Sequence, residues 1–182
     1  MKQFVLFAIL AFIGVSCGTK VQYTTAIRDE FNLDTEEKLR QVQFYISHTI
    51  ILNQVNVQSS ELTTQNGALV ASSNSQSESV IIPAGTRCIF EGFGDAGQIL
   101  VRFETGDQRY IPFATKNEGA SVRRYYLDAD WTASGGAKIN YGGNVYKVDL
   151  TRGMPRQAHL EVVRKKLEKT KRKERIVKGL KV

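Results

Sequence analysis

The stretch Ile99-Leu100-Val101-Arg102-Phe103, Glu104-Thr105-Gly106-Asp107-Gln108, Arg109-Tyr110-Ile111-Pro112-Phe113 decides the fold class. Ile99, Val101 and Phe103 recur every second residue, the spacing that lines up side chains on one face of a strand. Thr105-Gly106-Asp107 supplies a hairpin connection, and Arg109 to Phe113 returns as the partner strand. Pro112 has no N–H to give to a ladder, so the returning strand is expected to lie at a sheet edge or to end there.

The same texture extends in both directions. Upstream, Val80-Ile81-Ile82 runs into the turn Pro83-Ala84-Gly85-Thr86, and Cys88-Ile89-Phe90 enters the glycine-rich loop Gly92-Phe93-Gly94-Asp95-Ala96-Gly97. A phosphate cradle needs a helix after such a loop, so that its first N–H groups face the anion. Here a strand follows, and the loop reads as a hairpin. Earlier still, Phe44-Tyr45-Ile46-Ser47 and Thr49-Ile50-Ile51-Leu52 are rich in aromatic and β-branched residues, and Val55 and Val57 alternate with polar neighbours. Asn66-Gly67 marks a tight turn, and Ser72 to Ser79 a polar loop. Downstream, Ala137, Ile139 and Tyr141 share a face, Gly142-Gly143 turns the chain, and Tyr146 and Val148 alternate with Val145 and Lys147. Leu160 and Val162 suggest a final strand. One short helix is expected over about residues 35–42, with Asp34 or Thr35 as cap and Glu36 and Glu37 in its first turn.

Turn signals about every 8–12 residues between short strands argue for a mainly β fold, a small barrel or sandwich. The order of strand, glycine-rich loop, strand, tight hairpin and strand from Ile81 to Phe113 resembles the middle of an SH3-like barrel. The Gly142-Gly143 hairpin belongs either to the same barrel or to a second one.

The formal net charge of +7 over 182 residues is unevenly distributed. From Arg164 to Lys181 ten basic residues face only Glu168 and Glu174, so this segment alone carries +8 and the rest of the chain is near neutral. Glu168–Arg172 and Glu174–Lys178 have the favourable helical order, acid four residues before base. The tail is therefore read as basic and helix-capable. Arg164, Lys165, Lys166, Lys169, Lys171, Arg172, Lys173 and Arg175 are its anion- or partner-binding candidates.

Residues 1–16 have the layout of a secretory signal: Lys2, an uncharged run from Phe4 to Val15, then Ser16 before Cys17. The run is shorter than the roughly 20 apolar residues that span a bilayer. Val15-Ser16-Cys17-Gly18 resembles the lipobox of bacterial lipoproteins, with Gly14 where that family most often has Leu. The resemblance implies cleavage before Cys17 and lipidation of its thiol. Gly18, in place of the Asp that favours inner-membrane retention, implies the outer membrane, facing the periplasm. Gln43-Phe44-Tyr45-Ile46-Ser47 and the closing Lys178-Gly179 also resemble uncharacterised lipoproteins of Bacteroidota-type bacteria. The organisation expected is a signal peptide over 1–16, a tether over 17–28, a mainly β domain over 29–163 and the basic tail over 164–182. The anchor and the tail lie at opposite ends of the mature chain.

Chemistry-bearing motifs are few. Cys88, flanked by apolar residues, reads as a small buried hydrophobe. His48 and His159 stand without neighbouring ligands and read as strand-surface residues; neither a metal nor a cofactor is expected. Asp128 and Asp130, separated by Ala129 and followed by Trp131, have the composition of a glycosidase carboxylate pair, though two acids before a turn are more often solvated. Tyr125, Tyr126 and Trp131 are candidates for an exposed platform that binds a glycan or a partner strand. The expected function is that of a non-enzymatic envelope lipoprotein, an interaction or assembly module whose tail meets anionic lipid, lipopolysaccharide or an acidic protein. The alternative is a cell-wall or glycan-binding module, and behind it a hydrolase. Export argues against nucleic acid as the partner of the basic tail.

Overall fold

A computed structural model of the chain describes residues 18–54, 61–65, 68–72, 79–116 and 119–171. Residues 1–17, with the signal segment and Cys17, lie outside them, as do Val55, Val57, Asn66-Gly67, most of the serine-rich loop and the tail beyond Lys171. In chain order the elements are β1 (Lys20–Gln22), α1 (Thr25–Glu30), α2 (Glu36–Leu39), β2 (Gln43–Ile46), β3 (Ile50–Gln54), β4 (Glu61–Gln65), β5 (Ala68–Ser72), β6 (Ser79–Ile82) and β7 (Arg87–Phe93). There follow β8 (Ile99–Arg102), β9 (Tyr110–Thr115), β10 (Tyr125–Leu127), β11 (Lys138–Tyr141), β12 (Asn144–Val148), a 3-10 turn (Pro155–Gln157), β13 (Leu160–Val163) and α3 (Arg164–Lys171).

The fold is mainly β. A seven-stranded antiparallel sheet runs β1-β13-β2-β7-β8-β9-β10, a four-stranded one runs β11-β12-β3-β6, and β4 and β5 form a separate two-stranded ribbon. Two strand pairs pass from one sheet to the other: β2 leads to β3 through Ser47-His48-Thr49, and β6 leads to β7 through Pro83 to Thr86. The corners are stitched together, with Gly85 N–H donating to the Ile46 carbonyl at 2.7 Å and Ala84 N–H to Thr49 Oγ1 at 3.1 Å. Strands that change sheet at bends are how sheets crossing at an angle share one interior. Phe44, Phe90, Val101 and Phe113 from the larger sheet and Leu52, Ile139, Tyr146 and Val148 from the smaller one belong to one contiguous core. β10, at the far edge of the larger sheet, meets the opposite end through isolated bridges, Thr24 with Arg124 and Tyr126 with His159.

Several expectations hold at the level of side chains. Ile99 and Val101 are fully buried, and β8 and β9 pair antiparallel, with Ile99 opposite Phe113. The glycine-rich loop joins two paired strands, β7 and β8. Gly142 and Gly143 form the β11–β12 turn at φ 58° and 78°, backbone geometry that side chains resist.

Others need correction. The segment expected as a tether instead holds β1, paired in the sheet, and the start of α1. Two short helices stand where one was expected. The first is capped by Thr24, whose Oγ1 accepts the Ile27 N–H at 3.2 Å, and a six-residue helix with Ile27 as its one buried residue leaves little periodicity to read. β9 is an inner strand and continues past Pro112 to Thr115. Proline is tolerated because the β9–β10 ladder covers only Phe113 to Thr115, and Pro112 contributes just its carbonyl, to Asp128 N–H at 2.9 Å.

Candidate functional site

The register of the larger sheet determines where the basic segment begins. β1 and β13 are antiparallel, with Lys20 opposite Val163, so the chain just after Cys17 lies beside the residue that opens α3. A methyl group on Gly18 would come within 2.6 Å of Val163 Cγ1. Gly18 and the start of the basic segment, far apart in sequence, are therefore adjacent. The first turn of α3 is docked on the body: Arg164 pairs with Glu30 and Glu168, its guanidinium lies 5.8 Å from the Phe31 ring centroid, and Leu167 is buried. Arg164 is thus held in a structural contact, while Lys165, Lys166 and Lys169 are exposed. Lys171 closes the helix, and Arg172, Lys173 and Arg175 lie outside the described residues.

The aromatic platform is only partly as expected. Strand alternation turns Tyr125 inward, where it is 3% exposed, stacks near Tyr23 at 5.1 Å and accepts a hydrogen bond from Arg28 at 3.1 Å. A buried ring offers no platform. Tyr126 and Trp131 are half-buried and face a shared cation. Lys116 Nζ lies 4.8 Å from the Trp131 ring centroid and 5.9 Å from that of Tyr126. Arg156, from the 3-10 turn, lies 4.8 Å from the same indole. Burial, and secondarily Arg156, lower the pKa of Lys116 against the opposing pull of Asp128. Lys116 and Arg156 are 40 residues apart, and no local pattern in the sequence marks either.

Asp128 and Asp130 serve different partners. Asp128 accepts from Gln98 Nε2 at 3.1 Å. Asp130 is exposed and accepts from the N–H and hydroxyl of Thr132, bonds that hold its carboxyl below the usual range. That arrangement favours a turn-forming acid over a paired acid and base.

His159 is 7% exposed, which corrects its reading as a surface residue. Its Nδ1 lies 2.8 Å from the Gln157 carbonyl, which can only accept, so the proton sits on Nδ1. Ser47 Oγ accepts the His159 backbone N–H at 2.9 Å, which leaves its own proton for His48 Nδ1 at 2.8 Å. The serine and a histidine are within general-base distance, but Ser47 is already engaged in pinning the β2–β3 corner to the start of β13. His159 Nε2 is buried with no hydrogen-bond partner among the described residues. The two histidine rings, 5.8 Å apart, come from positions 111 residues apart, a juxtaposition that only the fold produces.

Cys88 is 2% exposed on β7, and burial pushes its thiol up to about 12. In a Cys17→Ser chain the folded protein is therefore expected to leave Cys88 unmodified by an aromatic disulfide reagent at pH 8 and to release one equivalent on denaturation. Rapid labelling of the native form would contradict this burial.

No family model, curated protein or solved structure matches this chain. Among the described residues no group of three or more His, Cys, Asp or Glu is placed to hold a metal ion, and no helix is long and apolar enough to cross a membrane.

Proposed function

We propose that the protein is a non-enzymatic lipoprotein of a bacterial envelope, exported by residues 1–16 and anchored through Cys17 in the outer membrane on its periplasmic side. Its body would be an interaction or assembly module, and its basic segment would contact anionic lipid, lipopolysaccharide phosphates or an acidic partner. The observation that carries the reading is the pairing of Lys20 with Val163. With only Gly18 and Thr19 between Cys17 and β1, an anchor at Cys17 would bring the start of α3 to the same surface. A diacylglycerol on Cys17 would hold the chain stably by itself, so the basic segment would be free to recognise anionic groups at that surface. The end-to-end bridges of the larger sheet and the 3-10 turn before β13 support an SH3-like barrel as the framework.

A second reading, a glycan-binding module, is favoured by the half-buried Tyr126 and Trp131. The leading reading is tested in cells with a radioactive fatty acid. Label should enter the full chain and be absent from Cys17→Ser, and equal labelling of both would refute the anchor.

A further inference from the structure

We propose that Lys116 and Arg156, gathered on Trp131, form a binding site for a ligand bearing a carboxylate or phosphate group. This rests on the glycan-binding reading of the same wall and narrows it to acidic ligands.

Three observations converge. First, the ammonium of Lys116 and the guanidinium of Arg156 each lie 4.8 Å from one indole centroid. The ring attracts each cation but neutralises neither, and the two repel each other. Second, neither forms a hydrogen bond or ion pair among the described residues. Arg40, Arg102, Arg109, Arg152 and Arg164 each pair with a carboxylate, whereas among the described residues Arg156 has only the indole beside it. Among the described residues the acid that acts on Lys116 is Asp128, which also accepts from Gln98. Third, the Trp131 Nε1–H is buried without an acceptor among the described residues. Positive charge is thus gathered around one half-buried ring, and the partial burial of Lys116 strengthens an anion contact there. A carboxylate or phosphate supplies several acceptor oxygens in one group and suits the planar fork of arginine. Tyr126, whose ring centroid lies 5.9 Å from Lys116 Nζ, gives a second aromatic surface for the ligand's body.

Trp131 is the sole tryptophan of the chain, so its fluorescence reports on this site alone. The folded protein is titrated with inorganic phosphate, glucuronate, glucose and sodium chloride at constant ionic strength. A saturable change with phosphate or glucuronate is expected, and whichever of the two binds more tightly tells the phosphate source from the acidic sugar. Lys116→Met and Arg156→Met should each weaken it about tenfold or more, the loss expected for one charge-assisted contact. Lys116→Arg should retain it, which separates a lost charge from a lost fold. An equal response to glucose would leave the glycan reading standing and overturn the acidic-ligand inference. A response to phosphate and glucuronate no larger than that to chloride, or one unchanged in both methionine variants, would overturn the site.

Discussion

Phe44→Ala is expected to destabilise the protein by about 3–5 kcal/mol, the range for emptying a well-packed phenylalanine site. Phe44 is fully buried on β2, between Cys88 on β7 and Val162 on β13. Its ring meets Tyr23 edge-on, with centroids 5.1 Å apart, and Tyr23 in turn packs against Tyr125. One side chain therefore joins the centre of the larger sheet to the residue that follows β1 and, through it, to β10. The cavity cannot easily collapse, because paired strands on both sides fix the backbone. Burial also raises the Tyr23 hydroxyl well above its ordinary range, and that hydroxyl has no hydrogen-bond partner among the described residues. The ring stack rather than the hydroxyl holds Tyr23 in place, so removing Phe44 should loosen the N-terminal segment as well. Urea unfolding should show a lower midpoint with an unchanged slope, while Phe44→Leu should cost less than half as much. A loss below about 1 kcal/mol would show that the Phe44 ring is not part of a well-packed core.

The strands were legible where period-two patterning met strong turn chemistry. The Gly142-Gly143 hairpin and the β8–β9 pair could be read directly, because alternation fixes the face and the turn fixes the register. What could not be read is which distant strands pair. β1 is three residues long, Lys20–Gln22, with no buried residue of its own, and only its long-range partner β13 makes it a strand. The same physics hid the site. Tyr126 and Trp131 were visible as aromatics, but Lys116, just past β9, and Arg156, in the 3-10 turn, come to them from distant positions. Tyr125 was misread because a three-residue strand gives too little alternation to tell inside from outside. His159 was likewise hidden, since its neighbours Ser47 and His48 arrive across the β2–β13 pairing.

Reversing charge at Lys165 and Lys169 is expected to remove most binding of residues 18–182 to anionic vesicles. Both side chains are exposed on α3, on the helix that the β1–β13 register places beside the chain's N-terminal end. Each base near an anionic bilayer contributes on the order of 1 kcal/mol, and an acid in its place repels by a similar amount. Two reversals together therefore cost about 4 kcal/mol, or roughly a thousandfold in affinity. Deleting residues 164–182 is a poorer test, because it also removes buried Leu167 and the Arg164–Glu30 pair that hold α3 to the body. Lys165→Glu/Lys169→Glu leaves both in place, so thermal unfolding should be unchanged while sedimentation with anionic vesicles is lost. Raising the salt to about 1 M, where the screening length falls to about 3 Å, should release the unmodified protein in the same way. Neutral vesicles should bind neither form. Equal binding of the reversed variant at low salt would mean that α3 does not face the membrane. An acyl anchor at Cys17 would mask such a result, since it holds the chain whatever the helix does; the reversed, lipidated protein should stay attached and lose only the fixed seating of its body on the surface.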